Sequence, residues 1–197
     1  MNVKKPKVIL ASGSPRRKEI LEKMGVEFEV VLGGHEEDMT LPFPPVELAK
    51  YLALGKARNV SEKFPDSIVV AADTIVVLEG KVMGKPHTKE VAEKMLVRLS
   101  GKAHEVITGM AFTRKATGVV IVEAVVTGVV FKTLSEKQIT DYIDTGEPLD
   151  KAGAYAVQGL GGALIEKVTG DYWSLVGLPA HILAKHLESF GIYAKTI

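Results

Sequence analysis

The chain of 197 residues contains no cysteine. That removes disulfide staples, thiolate nucleophiles and cysteine-based zinc sites together. An excess of charge is missing too, since 25 lysines and arginines face 24 aspartates and glutamates for a net of +1. Proteins that grip nucleic acid carry a basic field, so that class is disfavoured. Aromatic residues are 6% of the chain with a single tryptophan, and no aromatic–basic stripe of the kind that stacks single-stranded bases is present. No apolar run approaches the roughly 18 residues that a membrane helix needs. The first apolar run, at 8–11, is too short for a cleavable leader, so a cytoplasmic protein is expected. What is there, 46% hydrophobic and 25% charged residues, is the composition of a globular enzyme. It suits one domain over residues 1–197 with a substantial core, or two small lobes sharing a cleft.

Strands and helices alternate along the chain. Residues 8–11 read as a buried strand, 15–24 as a helix closed by Gly25, and 28–32 as a second strand. A helix over 46–62 precedes an apolar strand at 68–72 that ends on Asp73. Residues 74–83 are expected to fold back, with Glu79-Gly80 at the turn. Helices follow at 89–99 and 135–145. Long strands lie at 105–113 and 119–133, with Gly128 expected at a bulge or bend in the second. A glycine-rich segment at 146–162, a strand at 163–168 and a helix at 179–190 complete the pattern. Hairpin-like joins outnumber βαβ units, which predicts an α/β fold of the mixed α+β kind, with a mostly antiparallel mixed sheet flanked by helices.

The stretch Ala11-Ser12-Gly13-Ser14-Pro15-Arg16-Arg17 carries the strongest chemical signal. A strand stops at a Ser-Gly-Ser turn and a helix begins, with Ser14 as N-cap and Pro15 where the missing N–H costs nothing. Arg16 and Arg17 then fill the first helical turn, which already carries about half a positive charge and prefers an acid. Free N–H groups, the hydroxyls of Ser12 and Ser14 and two guanidinium forks describe a phosphate site. Both arginines are expected to be dispensable for the fold, because the first turn is not core. Asp73, directly after an apolar run, is either a turn-capping residue or an active-site carboxylate of the kind that collects at strand ends. Lys85 closes the hairpin that begins at Thr74, which would return it towards Asp73, although taken alone it reads as a surface lysine. Lys56, among apolar helical neighbours, either snorkels to solvent or points into a charged cleft. Glu36, Glu37 and Asp38 form an acidic loop whose oxygens suit Mg²⁺ held mainly by substrate phosphates. His104 reads as a structural hydrogen-bonder. Gly159-Leu160-Gly161-Gly162 precedes a strand rather than opening a helix, so it is no dinucleotide fingerprint. These residues fit a metal-assisted reaction on a phosphorylated small molecule.

The blocks Ser12-Gly13-Ser14-Pro15-Arg16-Arg17, Ala72-Asp73-Thr74, Gly84-Lys85-Pro86, Ser100-Gly101-Lys102-Ala103-His104, Gly146-Glu147-Pro148-Leu149-Asp150-Lys151-Ala152-Gly153-Ala154-Tyr155 and Val176-Gly177-Leu178-Pro179 resemble, in that order, the Maf family of nucleotide pyrophosphatases. The resemblance runs from residue 8 to about residue 185. It implies a fold related to the inosine triphosphate pyrophosphatases, elongated, with two lobes and a central cleft. It also implies hydrolysis of a nucleoside triphosphate to monophosphate and pyrophosphate with a divalent metal, Mg²⁺ or Mn²⁺. Carried over residue by residue, Asp73 matches the proton acceptor, Ser12, Arg16 and Arg17 the phosphate loop, and Glu37, Lys56 and Lys85 the charged cleft residues. Glu37 and Asp73 would hold the metal. Arg16, Thr74 and Gln158 match positions that distinguish a dTTP/UTP subgroup. A departure is Trp173-Ser174, where relatives often carry Tyr and Asn. The implied partners are the nucleotide and a second copy in a homodimer, with no nucleic acid and no membrane. A pyrimidine edge would then be read by the amide of Gln158 or by a neighbouring backbone group. The same resemblance offers an alternative, a nucleotide-binding regulator linked to septum formation and cell-division arrest. A sensor of that kind needs the phosphate loop but no water-activating carboxylate.

Overall fold

The computed structural model describes residues 5–34 and 38–197. In chain order the elements are β1 (Val8–Leu10), α1 (Pro15–Lys23), β2 (Phe28–Val30), α2 (Pro45–Ser61), β3 (Ile68–Leu78), β4 (Lys81–Met83), α3 (Lys89–Leu99), β5 (Ala103–Arg114), β6 (Val119–Phe131), α4 (Glu136–Asp144), β7 (Ile165–Thr169), α5 (Tyr172–Val176) and α6 (Ala180–Ser189). The seven strands form one sheet ordered β2-β1-β3-β5-β6-β7, with β4 paired to β3. β1 lies parallel to both β2 and β3, whereas β4 is antiparallel to β3 and β7 antiparallel to β6. The sheet is therefore mixed. No described helix is long and apolar enough to cross a membrane.

The chain divides into two compact units, each discontinuous in sequence. The first joins Met1–Asp73, Thr108–Val125 and Gly177–Ile197. Its core packs Ala53, Ala57 and Val60 of α2 on Ile9, Val69, Ala71 and Ala111 of the strands. Small residues on both surfaces let helix and sheet come close. A Cβ built on Gly109 of β5 would lie 2.2 Å from the Ala49 carbonyl oxygen. The second unit joins Thr74–Ile107 and Val126–Val176. Its core gathers Leu96 and Leu99 of α3, Val129 and Phe131 of β6, Ile139 and Ile143 of α4, and Tyr155. His104 sits in this core, 4% exposed, with Nε2 2.8 Å from the Tyr155 hydroxyl. Burial pushes its pKa down to about 4, which the Lys102 backbone offsets only in part.

Several boundaries differ from the sequence reading. β3 does not end on Asp73 but continues to Leu78. The residues beyond Asp73, Thr74-Ile75-Val76-Val77-Leu78, are mostly β-branched and as strand-prone as those before it. The turn does fall at Glu79-Gly80, both with positive φ (53° and 75°), as a tight hairpin requires. Gly128 pairs regularly with Thr169, and the irregularity in β6 lies instead between Val130 and Phe131. The glycine-rich segment holds short 3₁₀ turns at Glu147–Asp150, Ala152–Ala154 and Leu160–Leu164.

Candidate functional site

β1 lies between β2 and β3, so the chain leaves it to one side and returns on the other. The carboxyl ends of such strands are where α/β sheets collect ligands. Leu10 pairs with Val70 and the Ala11 N–H donates to the Val70 carbonyl (2.8 Å). Parallel pairing thus carries the start of the serine loop to the level of Ala71–Asp73. Side chains alternate along a strand, so Asp73 continues the row of Val69 and Ala71, which packs on α2. Lys56 stands on that helix, one turn from Ala53 and next to Ala57. Its Nζ donates to Asp73 Oδ1, with side-chain exposures of 16% and 8%. A carboxylate in the middle of an 11-residue strand is tolerated because a cation meets it there.

In the loop after β1, Ser14 takes the N-cap position of α1, but its side chain makes no capping bond. The Ser14 N–H instead donates to Ser12 Oγ (3.2 Å). Arg17 donates from Nη1 to Ser12 Oγ (3.1 Å) and to the Ala72 carbonyl (2.7 Å), and from Nε to the Gly177 carbonyl (2.8 Å). Its guanidinium is therefore a tie between the serine loop, the residue before Asp73 and the Gly177 turn. Arg16 is half-buried and has no hydrogen-bond or ion-pair partner among the described residues. Ser12, Ser14, Arg16, Arg17, Lys56 and Asp73 all belong to the first unit.

Thr74, Lys85 and Gln158 belong to the second. The β3–β4 ladder closes at Val76 with Met83, so Lys85 follows the ladder by two residues as Thr74 precedes it by two. Lys85 is exposed, and so is Gln158. The Gly84-Lys85-Pro86 block is tied to the block from Gly146: the Gly153 N–H donates to the Gly84 carbonyl (3.1 Å) and the His87 N–H to the Leu149 carbonyl (3.1 Å). Glu147, a residue with no sequence signal of its own, accepts from the Tyr142 hydroxyl (2.8 Å) and from the N–H groups of Leu160 and Gly161 (both 3.0 Å). Burial pushes its carboxyl up. The Gly161 N–H, the Tyr142 hydroxyl and the Leu160 N–H outweigh that and hold it below the ordinary range. Ser174, at the departure noted above, is fully buried. Its hydroxyl lies 2.5 Å from that of Thr127 and donates to the Asp171 carbonyl (2.8 Å), a structural contact. Glu36 and Glu37 lie outside the described residues.

Among the described residues no group of three or more His, Asp or Glu side chains could hold a metal on its own. Asp73 offers a single carboxylate whose Oδ1 already accepts from Lys56, so a divalent cation there would need most of its ligands from elsewhere. Mg²⁺ commonly takes one or two carboxylates and completes its shell with water and substrate phosphates.

The family model described as Maf-like protein matches residues 7–190. A dTTP/UTP pyrophosphatase of Symbiobacterium thermophilum is 48% identical over 184 residues, covering 93% of this chain and 94% of the relative. One of Desulforamulus reducens is 48% identical over 185 residues (94% and 97%), and one of Bacillus anthracis 47% identical over 186 (94% and 96%). The fold is shared with a HAM1 protein from Coxiella burnetii, at a TM-score of 0.55 and 14% identity over 93% of this chain and 99% of that one. Nearly half of the sequence agrees with these pyrophosphatases from end to end, and the chain belongs to the Maf family.

Proposed function

We propose that this protein hydrolyses a nucleoside triphosphate, dTTP or UTP, to the monophosphate and pyrophosphate. The observation that carries the reading is the buried Asp73–Lys56 pair beside the Ser12–Arg17 loop. The dTTP/UTP pyrophosphatases related to it over almost their full length support the substrate class. The serine loop and Arg16 take the phosphates, since N–H groups and a guanidinium at a helix N-terminus suit an anion. Asp73 accepts a proton from water as the water oxygen bonds to the α-phosphorus. The bond from that phosphorus to the bridging oxygen breaks, and pyrophosphate leaves. Lys56 stays beside Asp73 and keeps its carboxylate turned to the reaction. Arg17 holds the loop and β3 in register. A divalent cation held by Asp73 and the substrate's own phosphates would neutralise charge on the leaving group. Gln158 meets the base. A cytoplasmic, homodimeric enzyme is part of the same reading and rests on the family resemblance.

A nucleotide sensor would use the serine loop and have no need of Asp73. Asp73→Asn keeps the volume but cannot take the proton. Single-turnover pyrophosphate release is expected to fall by about 10²–10⁴, the scale of a lost general base, while labelled nucleotide still binds. Release at the wild-type rate, together with a lowered melting point, would mean that Asp73 only braces β3 and would overturn the reading.

A further inference from the structure

Between Tyr155 and Gly161 the chain runs Ala156-Val157-Gln158-Gly159-Leu160, so Gln158 is the one polar side chain in this loop. Its backbone is held from outside at both ends. The Tyr155 hydroxyl is 2.8 Å from His104 Nε2. The Ala156 N–H donates to the Tyr142 hydroxyl oxygen (3.3 Å), and that hydroxyl donates to Glu147 Oε1 (2.8 Å). Glu147 then accepts the Gly161 N–H on Oε1 and the Leu160 N–H on Oε2, both at 3.0 Å. One phenol–carboxylate pair therefore receives backbone donors from both sides of Gln158.

The glycines of the run are explained by the same contact. A Cβ on Gly159 would lie 2.1 Å from Glu147 Oε2, and one on Gly161 would lie 2.5 Å from the Tyr142 hydroxyl oxygen. Only bare backbone lets the carboxylate approach this closely. A glutamine amide has a donor end and an acceptor end and can satisfy several base edges by rotating. It discriminates only when its main chain cannot follow the wrong base.

We propose that the Tyr142–Glu147 pair is a positioning device for Gln158, fixing the direction from which its amide meets the nucleobase and so the choice among bases. This rests on the reading of Gln158 as the base-recognising residue. Glu147 itself touches no substrate.

The test compares kcat/KM for UTP and GTP in wild type, Glu147→Gln, Gln158→Ala and the double variant, with amide exchange at Leu160 and Gly161 followed by NMR. In Glu147→Gln both amides should exchange faster, and the UTP-to-GTP ratio should fall about tenfold, the scale of one lost hydrogen bond. Gln158→Ala should lower the ratio similarly, and the double variant no further. Tyr142→Phe keeps the ring and removes the hydroxyl, so it should lower the ratio too and serves if Glu147→Gln does not fold. Unchanged exchange or an unchanged ratio in Glu147→Gln overturns the proposal, as does an additional fall in the double variant. A wild-type ratio in Gln158→Ala overturns the base-recognition reading and this role with it. A lowered ratio there with a wild-type ratio in Glu147→Gln overturns this role alone.

Discussion

Arg16 and Arg17, adjacent in the chain and alike in chemistry, divide their work. Arg17 donates to the buried carbonyls of Ala72 and Gly177 and to Ser12 Oγ, whereas Arg16 has no such partner among the described residues. Arg17→Ala leaves two buried acceptors without their donor, which costs about 1–3 kcal/mol. It should lower the thermal midpoint as well as turnover. Arg16→Ala should leave the midpoint within the small range of surface substitutions, about 0.5 kcal/mol, and weaken nucleotide binding. Melting curves and nucleotide titrations on the two variants check this, and equal midpoints would contradict it. The three ties of Arg17 argue against the expectation that it is as dispensable for the fold as Arg16. The place of the two arginines in the first helical turn is what makes an anion site expected there. That one of them is a brace could not be read from the sequence, because its partners are main-chain carbonyls, and every residue has one.

Elements with local start and stop chemistry were the legible part of the fold. Thr88 caps α3 by accepting the Val91 N–H, and Ser135 and Gln138 form a capping box on α4. Both helices begin where those letters place them. β3 runs on through Asp73 because the charge meets its counter-ion inside the fold. Lys56, 17 residues earlier in sequence, is what lets Asp73 sit inside a strand. The 3₁₀ turns after Gly146 have no hydrophobic period to read. They are set by contacts such as Gly153 to Gly84, invisible without the fold. The packing of α2 on the sheet yields its own prediction. Gly109→Ala drives a methyl into the Ala49 carbonyl, a backbone neighbour that cannot rotate away, so a loss of about 1–3 kcal/mol is expected. A denaturant midpoint equal to wild type would show that α2 can slide.

At the scale of the molecule, the two units are not consecutive stretches of chain: three of their four boundaries fall inside β3, β5 and β6. Neither can unravel without breaking strands that continue into the other, so calorimetry should show a single transition. His104, in the second unit, tests this together with pH. Its folded pKa of about 4 lies below the ordinary 6.5, so the fold favours neutral imidazole. The stability associated with that preference is complete above pH 6.5 and is lost as pH falls towards 4. His104→Gln should melt lower at pH 7 yet lose less on acidification, and Gly109→Ala, in the first unit, should move the same transition. Two resolved transitions would mean that the units unfold separately. The Arg17–Gly177 bond, spanning 160 residues, also has a consequence for synthesis. Chains emerge from the ribosome N-terminus first, and early segments fold as they appear. The serine–arginine loop is among the first parts made, but one of the two carbonyls that Arg17 binds, that of Gly177, is among the last. A nascent chain halted before residue 177 therefore has the Arg17 ties to Ser12 and Ala72 but not the one to Gly177, and the brace is completed only as translation closes.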